Sequence, residues 1–249
     1  VLSLGLFYVL VRKIFDKKLT TIAMLFFACS QQLIYYTQEL KPYSMDVFCA
    51  LVLLLLFFHV QENNEFKPVN AVILGVAASL ALWFSFTTLF LIAAGSIYFV
   101  VLYFYKKRAI FLLPILFWLL NTTAFAFVQQ QSIQMGDLTA YWNFAFIPLP
   151  SDPLTLQRIG HIFQNFIHYT GIPYVSISAA VILMFPGLYH LFKAMPVKAF
   201  MLVLIVVMPV FASMIQKYPF SGRMVLFLLP LFYIIITSGL IPLFSSQRL

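Results

Sequence analysis

Between Tyr35 and Asp46 the chain reads Tyr-Tyr-Thr-Gln-Glu-Leu-Lys-Pro-Tyr-Ser-Met-Asp, which sets two carboxyls, an ammonium and three phenols between two long apolar runs. An ionisable side chain at the centre of a bilayer costs roughly 2.5–3.5 kcal/mol on insertion scales, so such a cluster belongs where water or a polar ligand reaches it. A second group of the same kind is Tyr218-Pro219-Phe220-Ser221-Gly222-Arg223, directly ahead of another apolar run. Arg223 offers a planar fork for an oxyanion and Lys41 a compact charge. Both are also placed to act as interfacial anchors, with the charged head drawn out to the headgroups. Lys217 reads as such an anchor.

The acidic residues leave more than one role open. Glu39 stands at the edge of an apolar run, where it can pair with Lys41 or orient a hydroxyl. Asp46 falls a turn or two into the next helix and should face the bundle interior. A structural ion pair or a hydrogen bond to substrate suits either better than a general-base role. Tyr43 and Tyr218 can stack on a ring or donate a hydrogen bond, as can Tyr35 and Tyr36. With 18% aromatic residues in the chain, only their motif context separates the first two from an ordinary interfacial belt. His161 and His168 are seven apart, but with no third ligand in view neither a metal site nor any cofactor is expected. Cys29 and Cys49 read as small apolar residues inside membrane helices.

The elements that carry these groups follow from composition. Hydrophobic residues make up 63% of the chain and charged ones 9%, against about a quarter charged in a soluble domain. The mean hydropathy is +0.99. Apolar runs extend approximately over Val1–Val11, Leu19–Ile34, Tyr43–Val60, Val69–Phe84, Leu89–Tyr105, Ala109–Val128, Tyr174–Phe192, Ala199–Ile215 and Met224–Phe244. Several reach the roughly 20 residues of a spanning helix, and the alternating segments of a β-barrel are absent. The expectation is an all-α, polytopic bundle of about nine membrane segments forming a single domain over 1–249. Ser85-Phe86-Thr87-Thr88 divides an apolar block too long for one helix, with hydroxyls suited to cap a new start. Val1 already lies inside an apolar stretch about half the length of a spanning helix, which suggests a fragment whose natural N-terminus is missing.

Basic residues set the orientation, because short cytoplasmic loops are rich in Lys and Arg. Placing Arg12, Lys13, Lys17 and Lys18 inside also puts Lys67, Lys106, Lys107, Arg108, Lys193, Lys198 and Arg248 there. Of the 15 basic residues only Lys41, Arg158, Lys217 and Arg223 then fall outside. The net charge of +8 is mostly a topology signal; no basic patch on a water-exposed face suggests nucleic acid. The Tyr35–Asp46 cluster, the Ser85–Thr88 break, the stretch over 129–170 and the Gln216–Arg223 loop share the outer face. Within 129–170, Leu154–Ile167 carries apolar residues at helical spacing, which fits an interfacial helix serving as a lid or lining a lipid route.

The pattern Tyr-Tyr-x-Gln-Glu-x-Lys-Pro-Tyr-Ser-x-Asp followed by a leucine-rich helix resembles bacterial members of the dolichyl-phosphate-mannose protein mannosyltransferase-like family, polytopic glycosyltransferases of the GT-C fold. Tyr218–Arg223 and the apolar run Met224–Pro230 resemble the late outer loop and following helix of those proteins. The intervening helices match in hydropathy alone. The resemblance implies transfer of a sugar from a polyprenyl-phosphate carrier to a lipid, glycan or protein acceptor, in a bacterial cytoplasmic membrane with the active site facing outward. It also implies that the N-terminal helix and the first outer loop, which carries the general-base Asp, lie upstream of Val1, so no catalytic residue is carried over to this chain and the fragment alone need not be active. Glu39, Lys41, Tyr43, Asp46, Tyr218 and Arg223 are the substrate-binding candidates, with Arg223 and Lys41 on the phosphate. The competing expectations are a transporter or flippase of a lipid-linked substrate, and a non-catalytic membrane scaffold. No Walker loop, dinucleotide fingerprint or hydrolase elbow points elsewhere.

Overall fold

The computed structural model describes residues 1–39, 43–62, 66–132, 141–151, 153–169 and 177–245. Among them the chain forms helices and no strands. The α-helices are α1 (Leu2–Arg12), α2 (Lys17–Ala28), α3 (Gln31–Thr37), α4 (Tyr43–Glu62), α5 (Pro68–Phe84), α6 (Thr88–Lys106), α7 (Leu113–Ser132), α8 (Pro153–Tyr169), α9 (Ile177–Ala194), α10 (Pro196–Met214), α11 (Leu229–Gly239) and α12 (Ile241–Ser245). Three 3₁₀ segments, Ala109–Leu112, Asn143–Ala145 and Gly222–Leu228, complete the described structure.

Five of these stretches are long and apolar enough to cross a membrane: Tyr43–Gln61, Thr88–Lys106, Ala109–Gln129, Pro196–Met214 and Gly222–Gly239. The bent pair α2–α3 makes up to six, and Leu2–Arg12, Pro68–Phe84 and Ser178–Ala194 are shorter apolar helices. Each of the nine apolar runs in the sequence thus carries helix, while the long spans among the described residues number five or six. The protein is an all-helical membrane protein with several spans.

Local chemistry explains the breaks. Asp16 accepts a hydrogen bond from the Leu19 amide at 2.9 Å and starts α2; Ser30 accepts from the Leu33 amide and starts α3. Ser30 therefore divides the run Leu19–Ile34, and the two helices meet at 51°. The two longer 3₁₀ segments each lead into a helix whose second residue is proline, Pro114 in α7 and Pro230 in α11. Proline cannot donate to the carbonyl four residues back and its ring collides with it, so α-helix starts at proline and a tighter turn precedes it.

Helix α11 is the centre of the bundle. Every residue of α11 is buried, and it packs on α9, α2 and the preceding 3₁₀ segment. Tyr233 of α11 meets Phe27 of α2 edge-on, with centroids 6.3 Å apart. Gly187 of α9 and Gly239 of α11 let the two backbones touch: a β-carbon on Gly187 would fall on the Ile235 carbonyl oxygen, and one on Gly239 on that of Leu183. By contrast α7 is largely exposed, which suits a lipid-facing helix, and it is pinned to α5 by polar contacts. The Trp83 indole donates to Asn121 Oδ1 at 3.0 Å, and Asn121 Nδ2 donates to the Ser79 carbonyl at 3.1 Å.

Helix α8 spans the amphipathic stretch read from the sequence. Ile162 is buried and Ile159 and Phe166 pack on the core, while Leu154 and Leu156 remain exposed. Its ring contacts run to the loop ahead of Gly222, with Phe163 and Phe166 at 5.7 and 5.4 Å from Phe220. The segment over 143–147 is tied down from three directions: Arg158 donates to the Asn143 carbonyl, the Phe220 amide to the Ala145 carbonyl, and the Ile147 amide to Ser213 Oγ at 3.0 Å. Ser213 is fully buried, so Ser213→Ala leaves the Ile147 amide without its acceptor at a cost of about 1–3 kcal/mol. A lower melting temperature in detergent is the expected result, and an unchanged one would show that the tie is dispensable.

Candidate functional site

The site is built from the N-terminal turn of α4, the α5–α6 connection and the chain from Tyr218 to Leu226. Tyr43 and Asp46 are three residues apart in α4 and so share a face. Tyr43 receives the Arg223 guanidinium over its ring, 5.1 Å from the centroid. That is cation–π distance, and it fixes a planar fork that would otherwise sweep freely. Behind Tyr43 stand Tyr36 and Tyr35 in successive edge-on contacts at 5.3 and 5.0 Å.

Asp46 takes the other direction. Ser85 Oγ donates to its Oδ1 at 2.6 Å, and the Ser85 and Thr87 hydroxyls lie 2.8 Å apart. With the Ser85 proton directed to the carboxylate, Thr87 is the donor of the second bond. Both hydroxyl residues are buried, so the half-buried carboxylate is held by a short relay of hydroxyls. This corrects the expectation that these hydroxyls cap a new helix. Thr87 occupies the cap position of α6 without capping it, and Thr88 donates back to the Ala81 carbonyl.

Tyr218 closes the site from a third side. Its ring lies against Phe86 and Phe90, with centroids 6.3 and 4.6 Å away, and its hydroxyl donates to the Met224 carbonyl at 2.6 Å. Burial raises its pKa well above the ordinary phenol value, and the negative charge of Asp46 adds to the effect. An unfolded tyrosine titrates near about 10, so above that pH the unfolded state sheds its proton first and stability falls as pH rises. Tyr218→Phe is expected to cost about 1 kcal/mol at neutral pH. It should also flatten the alkaline loss of stability measured by unfolding between pH 9 and 11; equal slopes in the two proteins would refute the assigned burial of the phenol.

Gly222 makes the approach of Arg223 feasible. Its φ is +55°, a left-handed conformation that glycine adopts without strain, and it turns the chain from Ser221 into the 3₁₀ segment. In a 3₁₀ helix residues three apart are eclipsed, which sets Arg223 and Leu226 on one face. Leu226 and Tyr43 line an apolar groove of about 730 Å³ between α1, α2, α3 and α4. Its walls include Phe27, Leu33, Ile34 and Phe48. A guanidinium therefore stands at the edge of a groove sized for an apolar chain.

Four of the six residues singled out from the sequence, Tyr43, Asp46, Tyr218 and Arg223, come together here. Glu39 is half-buried after α3, with no ion pair among the described residues. Lys41, its expected partner, lies outside the described residues, and Lys217 is exposed. Ser85 and Thr87, as the partners of Asp46, were not foreseen: their separation of about forty positions from Asp46 carries no sequence signal.

The fold defines a multi-span helical membrane protein in which Tyr43, Asp46, Ser85, Thr87, Tyr218 and Arg223 meet where three chain segments converge. No known protein family, curated protein or solved structure matches the chain.

Proposed function

We propose that the chain is the membrane domain of a GT-C-type glycosyltransferase that moves a sugar from a polyprenyl-phosphate donor to a lipid, glycan or protein acceptor on the outer face of a bacterial cytoplasmic membrane. The observation that carries the proposal is the Arg223 guanidinium resting on Tyr43 at 5.1 Å, beside an apolar groove of about 730 Å³. A polyprenyl phosphate has an anionic head and a long apolar tail. Arg223 meets the head with paired N–H donors, and the groove takes the first part of the tail.

In transfer, the bond between the anomeric carbon and the phosphate oxygen breaks and the acceptor oxygen bonds to that carbon. The acceptor proton goes to a base and the polyprenyl phosphate leaves. Negative charge grows on the leaving phosphate, and a fixed guanidinium stabilises that charge more than it stabilises the bound donor. Asp46, held by Ser85, is suited to orienting a hydroxyl of the donor or acceptor.

The test is transfer by the full-length protein in proteoliposomes, with a radiolabelled polyprenyl-phosphate sugar as donor. Label appearing in an acceptor supports the enzyme. Label that crosses the bilayer still attached to its lipid would replace the reading with a flippase, and label that does neither would leave a scaffold.

A further inference from the structure

A second cavity lies next to the Arg223 site, on the far side of the same loop. It encloses about 280 Å³ between α3, the 3₁₀ turn at Asn143–Ala145, α8 and Phe220–Gly222. Its polar lining consists of Gln32, Asn165, His168 and Ser221. Phe144, Phe166 and Phe220 supply aromatic walls. Among the described residues none of the four polar side chains has a hydrogen-bond partner, and none of those lining the cavity is Lys, Arg, Asp or Glu.

That chemistry selects a class of ligand. Each side-chain amide presents a donor and an acceptor side by side, and a hydroxyl and a neutral imidazole each do both. Such a set matches adjacent hydroxyl groups, which also donate and accept. Aromatic walls suit the apolar faces of a saturated ring, and the lack of charged side chains disfavours a phosphate or carboxylate. We propose that this cup binds the uncharged, hydroxyl-rich ring of a pyranose sugar.

The cup and the groove share one short stretch of chain. Ser221 and Gly222 line the cup, Leu226 lines the groove, and Arg223 between them rests on Tyr43, so a sugar in the cup lies one residue along the chain from the proposed phosphate site. Its place as part of the transfer site rests on the glycosyltransferase reading; binding of a pyranose does not. The ring belongs either to the donor or to a glycan acceptor, two sources with the same chemistry.

The experiment is saturation-transfer NMR on the detergent-solubilised full chain with methyl α-glucoside, methyl α-mannoside, methyl α-galactoside and N-acetylglucosamine as probes. At least one probe should receive saturation from the aromatic protons. The signal should fall at least about tenfold in Asn165→Ala combined with His168→Ala, both at exposed positions of α8 where folding is spared. Gly160→Ala, on the same helix but outside the cup, should leave it in place. Absence of signal from all four probes, or a signal unchanged in the double variant, overturns the inference. Displacement of the probe by polyprenyl-phosphate sugar but not by bare polyprenyl phosphate assigns the cup to the donor ring; binding beside the intact donor assigns it to the acceptor. Sugar binding without transfer in proteoliposomes would retain the cup and remove the glycosyltransferase reading, and transfer without sugar binding would do the reverse.

Discussion

Placing a methyl group on Gly187 or Gly239 is expected to cost the bundle about 3 kcal/mol or more, the upper end of what overpacking does. A new β-carbon at either position meets the backbone carbonyl of the facing helix, Ile235 for Gly187 and Leu183 for Gly239. A side chain can rotate away from an intruder; a helical carbonyl already bonded along its own axis cannot. The only relief is to part α9 from α11, and α11 is the buried centre against which α2 and the Arg223 segment also pack. In lipid no hydrophobic force draws the helices back together, because tails solvate apolar side chains as well as a neighbouring helix does. The midpoint of unfolding in mixed micelles of rising SDS content should fall for Gly187→Ala and Gly239→Ala. Gly160 is the internal control: it is exposed on α8 with nothing within 4 Å of a built β-carbon. Gly160→Ala should be neutral or gain about 0.5–1 kcal/mol from the helix preference of alanine. Equal midpoints for all three variants and the parent would mean that α9 and α11 are not in backbone contact.

The second large effect concerns Arg223. Arg223→Glu in the full-length protein should lower sugar transfer by at least about a hundredfold, the scale seen when a charge-stabilising donor is removed from an active site. Membrane insertion and yield should be unaffected, since the residue is only half-buried and contributes a ring contact rather than core packing. Arg223→Lys separates charge from geometry. Lysine keeps the positive charge but loses the fork and the flat face that lies on Tyr43, so its turnover should fall between parent and charge reversal. Tyr43→Ala should act in the same direction and more weakly, by freeing the guanidinium. Transfer at the parental rate in Arg223→Glu would exclude Arg223 from the phosphate site.

The helices were legible because bilayer-length apolar runs are a strong signal, and each of the nine runs does form helix. What the runs did not convey was how they break. Ser30 is a serviceable cap, and with Gln31 and Gln32 behind it the polar dip inside Leu19–Ile34 could have been read as a break. The 3₁₀ character of Gly222–Leu228 follows from Pro230, a clue that becomes decisive only once the helix is known to start beside it. In the site, Tyr43, Asp46, Tyr218 and Arg223 were visible as polar residues in apolar surroundings. Ser85 and Thr87 were visible too, and were given the wrong task, because a hydroxyl at a helix boundary is most often a cap and its true partner stands on another helix. The cup residues Gln32, Asn165 and Ser221 are scattered over three elements, each unremarkable in its own neighbourhood, so only the folded chain brings them together.

The short span from Ser221 to Leu226 gives Ser221 and Gly222 to one cavity and Leu226 to the other, so a movement of this span reaches both. If an occupant of either cavity shifts that span, the affinity of the other must change, and the factor must be the same in both directions, since coupling free energy is reciprocal. A positive φ at Gly222 between the two halves provides a pivot with little steric resistance. Occupants of the two cavities would then sense one another through six residues of backbone, whether they are separate molecules or the two ends of one donor.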